Sequence, residues 1–283
     1  MRDAPPDIFD RALRRRRRDL AAARGERPFV RGRMIEELLW RLDSTTRPFK
    51  LALDLGCGDG ALGAALRERG ITVVSADAGF RYARAAEGVQ CDEDRLPFAD
   101  RSFDLVMAAG GLDLVNDLPG ALTLIRRTLR PDGLFIGAIA GAGTLGRLRS
   151  ALIAAEEAAA PRIHPQIDVR AAGDLLARAG FALPVADIER LTLSYADPFA
   201  LIRDIRAEAA GNLLDSVRSA PLRRDALAAA AARLLAGADE RGRFTETVEM
   251  IFLTGWAPDP SQPKPAARGS ATASLAAALR PPQ

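Results

Sequence analysis

Leu51-Ala52-Leu53-Asp54-Leu55-Gly56-Cys57-Gly58-Asp59-Gly60-Ala61 decides the fold. A short apolar run interrupted by one acid gives way to alternating glycines. That pattern predicts a buried strand, a tight turn and the start of a helix. Glycines at such a turn let backbone N–H groups approach a ligand closely, at the positive end of the helix dipole. Outward from this point the alternation continues. Residues 61–69 have helical spacing and close on Gly70. Residues 71–76 form a second strand, 103–107 a third, 121–129 a helix stopped by Pro131-Asp132-Gly133, and 134–139 a further strand. Another helix ends at 175–179 on Gly180, 188–195 alternates like a strand, 198–237 is mostly helical with a break near Pro221, and 245–256 is a last strand. Strands alternating with helices imply right-handed crossovers and a mostly parallel sheet.

The turn predicts a ligand. Asp77 ends the second strand, 21 residues after Gly56. A carboxylate there can accept both hydroxyls of a ribose. Two cofactors suit this geometry, because Gly56-x-Gly58-x-x-Ala61 also satisfies the looser dinucleotide fingerprint. Asp54 favours one of them. An acid at the mouth of the loop repels the pyrophosphate of NAD but suits S-adenosylmethionine, whose sulfur and amino group are cationic. Asp92-Glu93-Asp94 follows the next crossover, where an acid can accept from an adenine amine while Leu96 and Phe98 close over the base. The expected cofactor contacts are therefore Asp54, Gly56, Cys57, Gly58, Gly60, Asp77, Asp92 and Glu93. Cys57 and Cys91 themselves read as small buried filler.

Composition excludes several other classes. Hydrophobic residues are 48% and charged residues 27% of 283, an ordinary globular balance. Two cysteines make no disulfide framework, so a reducing compartment, the bacterial cytoplasm, is expected. The single His, His164, excludes metal sites built on two or three histidines, and no metal is expected. His164 itself reads as a loop residue. No apolar run is long enough to cross a membrane, so membrane contact is peripheral at most. Residues 1–50 carry a net charge of +6 and the remainder −3. The run Arg14–Arg18 lies in a basic amphipathic helix, followed by a second helix over 33–42. Residues 8–40 are expected to pack on the cofactor side of the sheet, anchored by Ile8, Phe9 and Leu13, with the consecutive arginines mostly facing water. Nucleic-acid binding is not expected: 38 of 40 cations are Arg, but that bias alone is no such signature.

Several segments also resemble a known family. Residues 53–60, Leu96-Pro-Phe98, Phe103-Asp-Leu-Val106 and Leu129-Arg-Pro-Asp-Gly133 are similar to class I S-adenosylmethionine-dependent methyltransferases. Ile8-Phe-Asp-Arg11, Val115-Asn-Asp-Leu-Pro119, Phe135-Ile-Gly-Ala138, Gly143-Thr-Leu145, Arg178-Ala-Gly-Phe181 and Ala267-Arg-Gly-Ser-Ala-Thr272 narrow the likeness. They resemble the branch of respiratory complex I assembly factors that hydroxylate an arginine. The malonyl-acyl-carrier-protein O-methyltransferases of biotin synthesis are a looser match. The resemblance implies a Rossmann-like α/β fold: a seven-stranded, mostly parallel sheet with an antiparallel last strand. It implies an N-terminal helical cap over 1–46, a cofactor domain over 47–257 with a helical insertion at about 198–240, and a Pro/Ala-rich tail over 258–283. The implied substrate is a protein, the iron–sulfur subunit of NADH dehydrogenase. The alternatives are methyl transfer to a small or carrier-bound carboxylate, and a non-catalytic assembly chaperone. The branch usually has a His-Trp pair just before Val115-Asn-Asp-Leu-Pro119, where this chain has Asp113 and Leu114. Asp113 is thus the candidate catalytic residue, placed to receive a guanidinium. Asp117 and Tyr195 are further proton-acceptor candidates.

Overall fold

The computed structural model describes residues 7–25, 28–156, 160–215 and 221–263. Two helices, α1 (Arg11–Arg24) and α2 (Phe29–Asp43), precede the sheet. The first half of the sheet holds β1 (Leu51–Leu55), β2 (Thr72–Asp77), β3 (Val89–Gln90), β4 (Phe103–Ala109) and β5 (Leu129–Ala140). Helices α3 (Ala61–Glu68), α4 (Phe80–Ala85) and α5 (Leu118–Thr128) alternate with these strands. Helices α6 (Gly146–Ala155) and α7 (Val169–Arg178) lead to β6 (Ala182–Tyr195). Then α8 (Pro198–Ala207) and α9 (Arg224–Ala236) lead to β7 (Phe244–Trp256).

The strand order is β3-β2-β1-β4-β5-β7-β6. The first five strands pair in parallel, and β7 runs antiparallel between β5 and β6. The order reverses between β1 and β4, and a crevice opens outside the carboxyl ends of strands at such a point. Both faces of the sheet are covered, so the inner strands are apolar on both sides. Leu53, Leu55, Val106 and Phe135 face α5 and α7, while Ala52, Leu105, Met107 and Ile136 face α2 and α3. A third core joins α6, α8 and α9 to the outer ends of β6 and β7 through Leu152, Leu201, Leu234 and Phe244.

Three elements have no counterpart in the sequence reading: the short α4 and β3, and α6. Several expected boundaries move: β6 begins at Ala182 rather than 188, and of the helical stretch expected over 198–237 only Pro198–Ala207 and Arg224–Ala236 are α-helix among the described residues. Pro131-Asp132-Gly133 does not separate helix from strand, because β5 begins before it at Leu129. The register against β4 shifts between Phe103 and Leu105, and Asp132 adopts a positive φ of 60°. The turn residues form an irregularity within the strand. Asp132 there pairs with Arg47 and accepts a hydrogen bond from Gln262 at 2.9 Å. The tail motif 267–272 lies outside the described residues.

The chain enters α1 through a fixed point. Phe9 bridges to Leu214, Asp10 N–H donates to the Leu213 carbonyl, and Asp215 N–H to the Ile8 carbonyl. Asn116 holds the other side: its Oδ1 accepts from the N–H groups of Ile8 and Phe9, both at 2.8 Å, and its Nδ2 donates to the Phe9 carbonyl at 3.1 Å. Phe9 is buried with Leu114, Leu213 and Leu214, and Leu13 packs on that cluster; the Ile8 side chain is exposed, and that residue is held through its backbone alone. Asn116→Ala removes three hydrogen bonds at once. We expect it to lower unfolding free energy by about 1–3 kcal/mol and to speed amide exchange in residues 8–14, measured by denaturant melts and hydrogen exchange.

Candidate functional site

The acids singled out from sequence converge at the carboxyl ends of β1, β2 and β3, and helix α1 lies across them. Asp10 caps α1 by accepting from Leu13 N–H at 2.9 Å, and Gly25, at φ 65°, closes it. Residues 11, 14, 15 and 18 fall on one face of the helix, being three or four apart. Arg18 donates Nε and Nη2 to the two oxygens of Asp77 at 2.6 and 2.5 Å. Arg14 grips Glu93 at 2.5 and 2.7 Å. Arg15 reaches Asp92 at 2.6 Å, and Arg11 grips Asp94 at 2.6 and 2.7 Å. Planar guanidinium forks on carboxylates are among the strongest polar contacts available. The expectation that these arginines mostly face water is therefore overturned. Arg14 is buried and Arg18 nearly so, while Arg15 and Arg16 stay exposed. The reason is charge: the polar face of α1 meets an acidic wall instead of solvent.

The glycine loop adopts the conformation its sequence demands. Gly56, Gly58 and Gly60 all have positive φ, at 74°, 52° and 80°. Its first N–H groups, those of Gly56 and Cys57, donate to the Ala76 carbonyl at 2.8 and 2.9 Å. Gly58 N–H donates to Asp77 at 2.9 Å. Close approach to the loop is real, but here its partner is protein. A Cβ on Gly58 would sit 3.1 Å from the guanidinium carbon of Arg31. Arg31, from α2, donates to the Gly56 and Cys57 carbonyls at 3.1 and 2.8 Å and pairs with Asp59 at 2.8 Å. No reading of the sequence had marked Arg31 or the arginines of α1 as site residues. Their signal was the Arg spacing set against the acidic run 92–94.

Asp54 lies beneath the loop rather than at its mouth. It is fully buried, near Gly63 and Ser75, and neither carboxyl oxygen has a hydrogen-bond partner among the described residues. Burial lifts its pKa to about 6, against the pull of Arg31. Cys57 and Cys91 are buried thiols, and burial raises both, Cys91 to about 12, so they are not nucleophiles at neutral pH. Among the described residues, no group of three or more His, Cys, Asp or Glu could hold a metal ion.

Asp113 sits in a short 3₁₀ turn, Leu112–Leu114, just beyond β4. Its side chain lines a narrow cavity of about 130 Å³ with Arg18, Arg31, Tyr195, Asp204 and Glu208. Burial raises the Asp113 carboxyl above its ordinary range. Burial also lifts Glu208, to about 7, against hydrogen bonds from Val30 and Arg31 N–H at the start of α2. Tyr195 donates to Asp204 at 2.8 Å. Three acidic residues thus line one cavity, and sequence reasoning found only one of them. Asp117 belongs elsewhere, capping α5 through Gly120 N–H at 2.8 Å. His164 is structural: Leu213 N–H donates to its Nε2 at 2.8 Å, Phe9 packs edge-on against its ring, and burial lowers its pKa to about 4.

The arginine face of α1 carries stability as well. Burial alone would raise Asp77, but Arg18 and the N–H groups of Gly58 and Gly79 hold it below the usual carboxylate range. Burial likewise opposes, and Arg11 outweighs, at Asp94. A depressed folded pKa gives stability that is present above the ordinary value of about 4 and lost as pH falls through the folded value. Wild type should therefore gain stability as pH rises through ~4, and Arg18→Met should lose that gain, so the two differ most at neutral pH and least in acid. Arg14→Met leaves the buried Glu93 uncompensated and should cost about 3–5 kcal/mol at pH 7. Urea melts across a pH series measure both.

Comparison with known proteins agrees with this architecture. Residues 53–137 match the model of a methyltransferase domain. The chain is 35% identical to the mitochondrial arginine-hydroxylase NDUFAF5 of Danio rerio, over 95% of this chain and 89% of that protein. The human protein of the same name is 36% identical, over 95% and 82%. The malonyl-[acyl-carrier protein] O-methyltransferase of Methylovorus sp. (strain MP688) is 31% identical, over 89% and 90%. Among solved structures, the YcgJ protein of Bacillus subtilis superposes with a TM-score of 0.54 at 15% identity, covering 82% of this chain and 99% of that one. A 1,6-didemethyltoxoflavin-N1-methyltransferase of Burkholderia thailandensis gives 0.50 at 18%, over 91% and 93%. These two show the fold alone. With its sheet order, its glycine loop and these relatives, the chain belongs to the class I methyltransferase-fold enzymes, in the branch of the NDUFAF5 arginine hydroxylases and related to the malonyl-acyl-carrier-protein O-methyltransferases.

Proposed function

We propose that this protein binds S-adenosylmethionine and modifies an arginine on an iron–sulfur subunit of respiratory NADH dehydrogenase during assembly. We place it in the bacterial cytoplasm, with at most peripheral contact with the inner membrane. The acidic cavity carries the reading of the substrate. Asp113, Asp204 and Glu208 face a space beside the cleft, and a guanidinium is the side chain that suits several carboxylates at once. The kinship with proteins named arginine hydroxylases supports the same substrate.

The chemistry of the acids fits the proposed cofactor. Asp77 is the group a ribose diol needs, and Asp92 and Glu93 are acceptors for an adenine amine. When bound, that cofactor supplies an activated sulfonium; the chain supplies position. Asp113 would hold the guanidinium and fix which nitrogen or carbon faces the reacting centre. If the modification is hydroxylation, an oxidant must be supplied alongside the peptide.

Methyl transfer to a carrier-bound carboxylate is the second reading, favoured by the 31% identity to a malonyl carrier-protein methyltransferase. The cavity weighs against it. A substrate carboxylate would meet three acids, and the two arginines lining the cavity are already engaged with Asp77 and Asp59.

Deletion of the gene, followed by mass spectrometry of NADH dehydrogenase subunits, tests the proposal. We expect one modified arginine to disappear and return on complementation. Complementation with Asp113→Asn should restore roughly a tenth or less, because one charge-assisted contact is lost. Identical modification with and without the gene, in a normally assembled enzyme, would contradict the reading. Biotin auxotrophy of the same strain would turn it to the carrier-protein methyltransferase.

A further inference from the structure

The carboxylate assigned to the ribose has no vacancy. A carboxylate offers about four lone-pair positions. At Asp77 two are taken by the N–H groups of Gly58 and Gly79, and the other two by the fork of Arg18. Arg18 also lies over the ring of Tyr82, 5.3 Å from its centre. Next to it Arg14 fills Glu93, and Arg15 holds Asp92, the acids that would read the base. The cavity beside these groups is about 130 Å³, well below the ~300 Å³ at which small-molecule pockets begin. Two larger grooves, about 720 Å³ reaching Gly58 and Gly60 from outside and about 450 Å³ on the Asp113 side, are not lined by Asp77, Asp92 or Glu93.

We propose that Arg18 is an internal competitor for the ribose subsite, and that helix α1 withdraws from the acidic wall when the cofactor seats. This rests on S-adenosylmethionine being the cofactor. The helix is built to leave. Its apolar contacts are small: Leu13 beside the Phe9 cluster, and Ala21 and Ala22 against Tyr82 and Ala209. The rest of its hold is polar: the row of ion pairs, the Arg14 bond to the Gly111 carbonyl at 3.2 Å and the Arg81 N–H bond to Asp19 at 2.8 Å. A neutral diol can replace a guanidinium at a carboxylate without breaking any core. Its entry point is separately pinned by Asn116 and the Leu213–Asp215 backbone, so the helix can swing without detaching. Arg18 thereby sets cofactor affinity: only the fraction of molecules with α1 withdrawn can bind, and the apparent dissociation constant is the intrinsic one divided by that fraction.

Calorimetric titration of the full chain with S-adenosylmethionine and S-adenosylhomocysteine tests this, using wild type, Arg18→Met and the exposed control Arg16→Met. We expect Arg18→Met to bind about tenfold tighter than wild type, and Arg16→Met to match wild type. Hydrogen exchange on the wild type gives a readout independent of any variant. Amides of residues 13–22 should exchange faster when cofactor saturates. Equal or weaker binding by Arg18→Met, or slower exchange in α1 on loading, would overturn the competitor; in that arrangement Arg18 would serve the bound cofactor. If none of the three proteins binds either compound, the cofactor assignment itself falls.

Discussion

Helix α1 and the cleft acids are each other's counterions, and the rest of the site follows from that pairing. Asp77 and Glu93 are buried at the ends of parallel strands, where an unpaired charge costs several kcal/mol. The chain meets that cost with its own arginines, spaced three and four apart so that successive forks meet successive acids. The same carboxylates are the ones a nucleoside would need. On the proposed reading, one set of groups stabilises the protein and is reopened for binding, so stability and affinity would pull against each other along the same helix.

Much of this was legible in the sequence. Leu51–Gly60 predicted a strand, a left-handed glycine turn and a helix, and β1 occupies Leu51–Leu55 with all three glycines at positive φ. Asp77, Asp92 and Glu93 were marked by position and do converge. What the sequence did not reveal was what faces them. Five consecutive arginines read as a solvated surface because periodicity says which residues share a face, not what lies opposite. The opposing acids stand some 60 to 80 positions away in the chain. Asp54 shows the reverse limit. Its place before the glycines suggested a ligand contact, but alternation along β1 turns it under the loop beside Gly63 and Ser75. Short α4 and β3 carried too few residues to show a period.

The cavity proposed for the substrate depends on the insertion between β6 and β7. Glu208 follows α8 and caps the start of α2, and Asp204 sits one turn earlier, bound to Tyr195. These contacts tie the helical insertion, the N-terminal helices and the end of β6 to one cavity. Asp113 adds a third acid to that wall. A cavity of this sign favours a cationic side chain, and it adjoins the cleft in which α1 lies because Arg18 and Arg31 line both. Movement of α1 would therefore alter the substrate cavity as well as the cofactor subsite.

The most direct measurement is a crystal structure of the full chain with S-adenosylhomocysteine bound. The account predicts the ribose hydroxyls on the Asp77 carboxylate, with the Arg18 guanidinium displaced from it and α1 lifted away from Glu93. A bound cofactor beside an intact Arg18–Asp77 pair would contradict it.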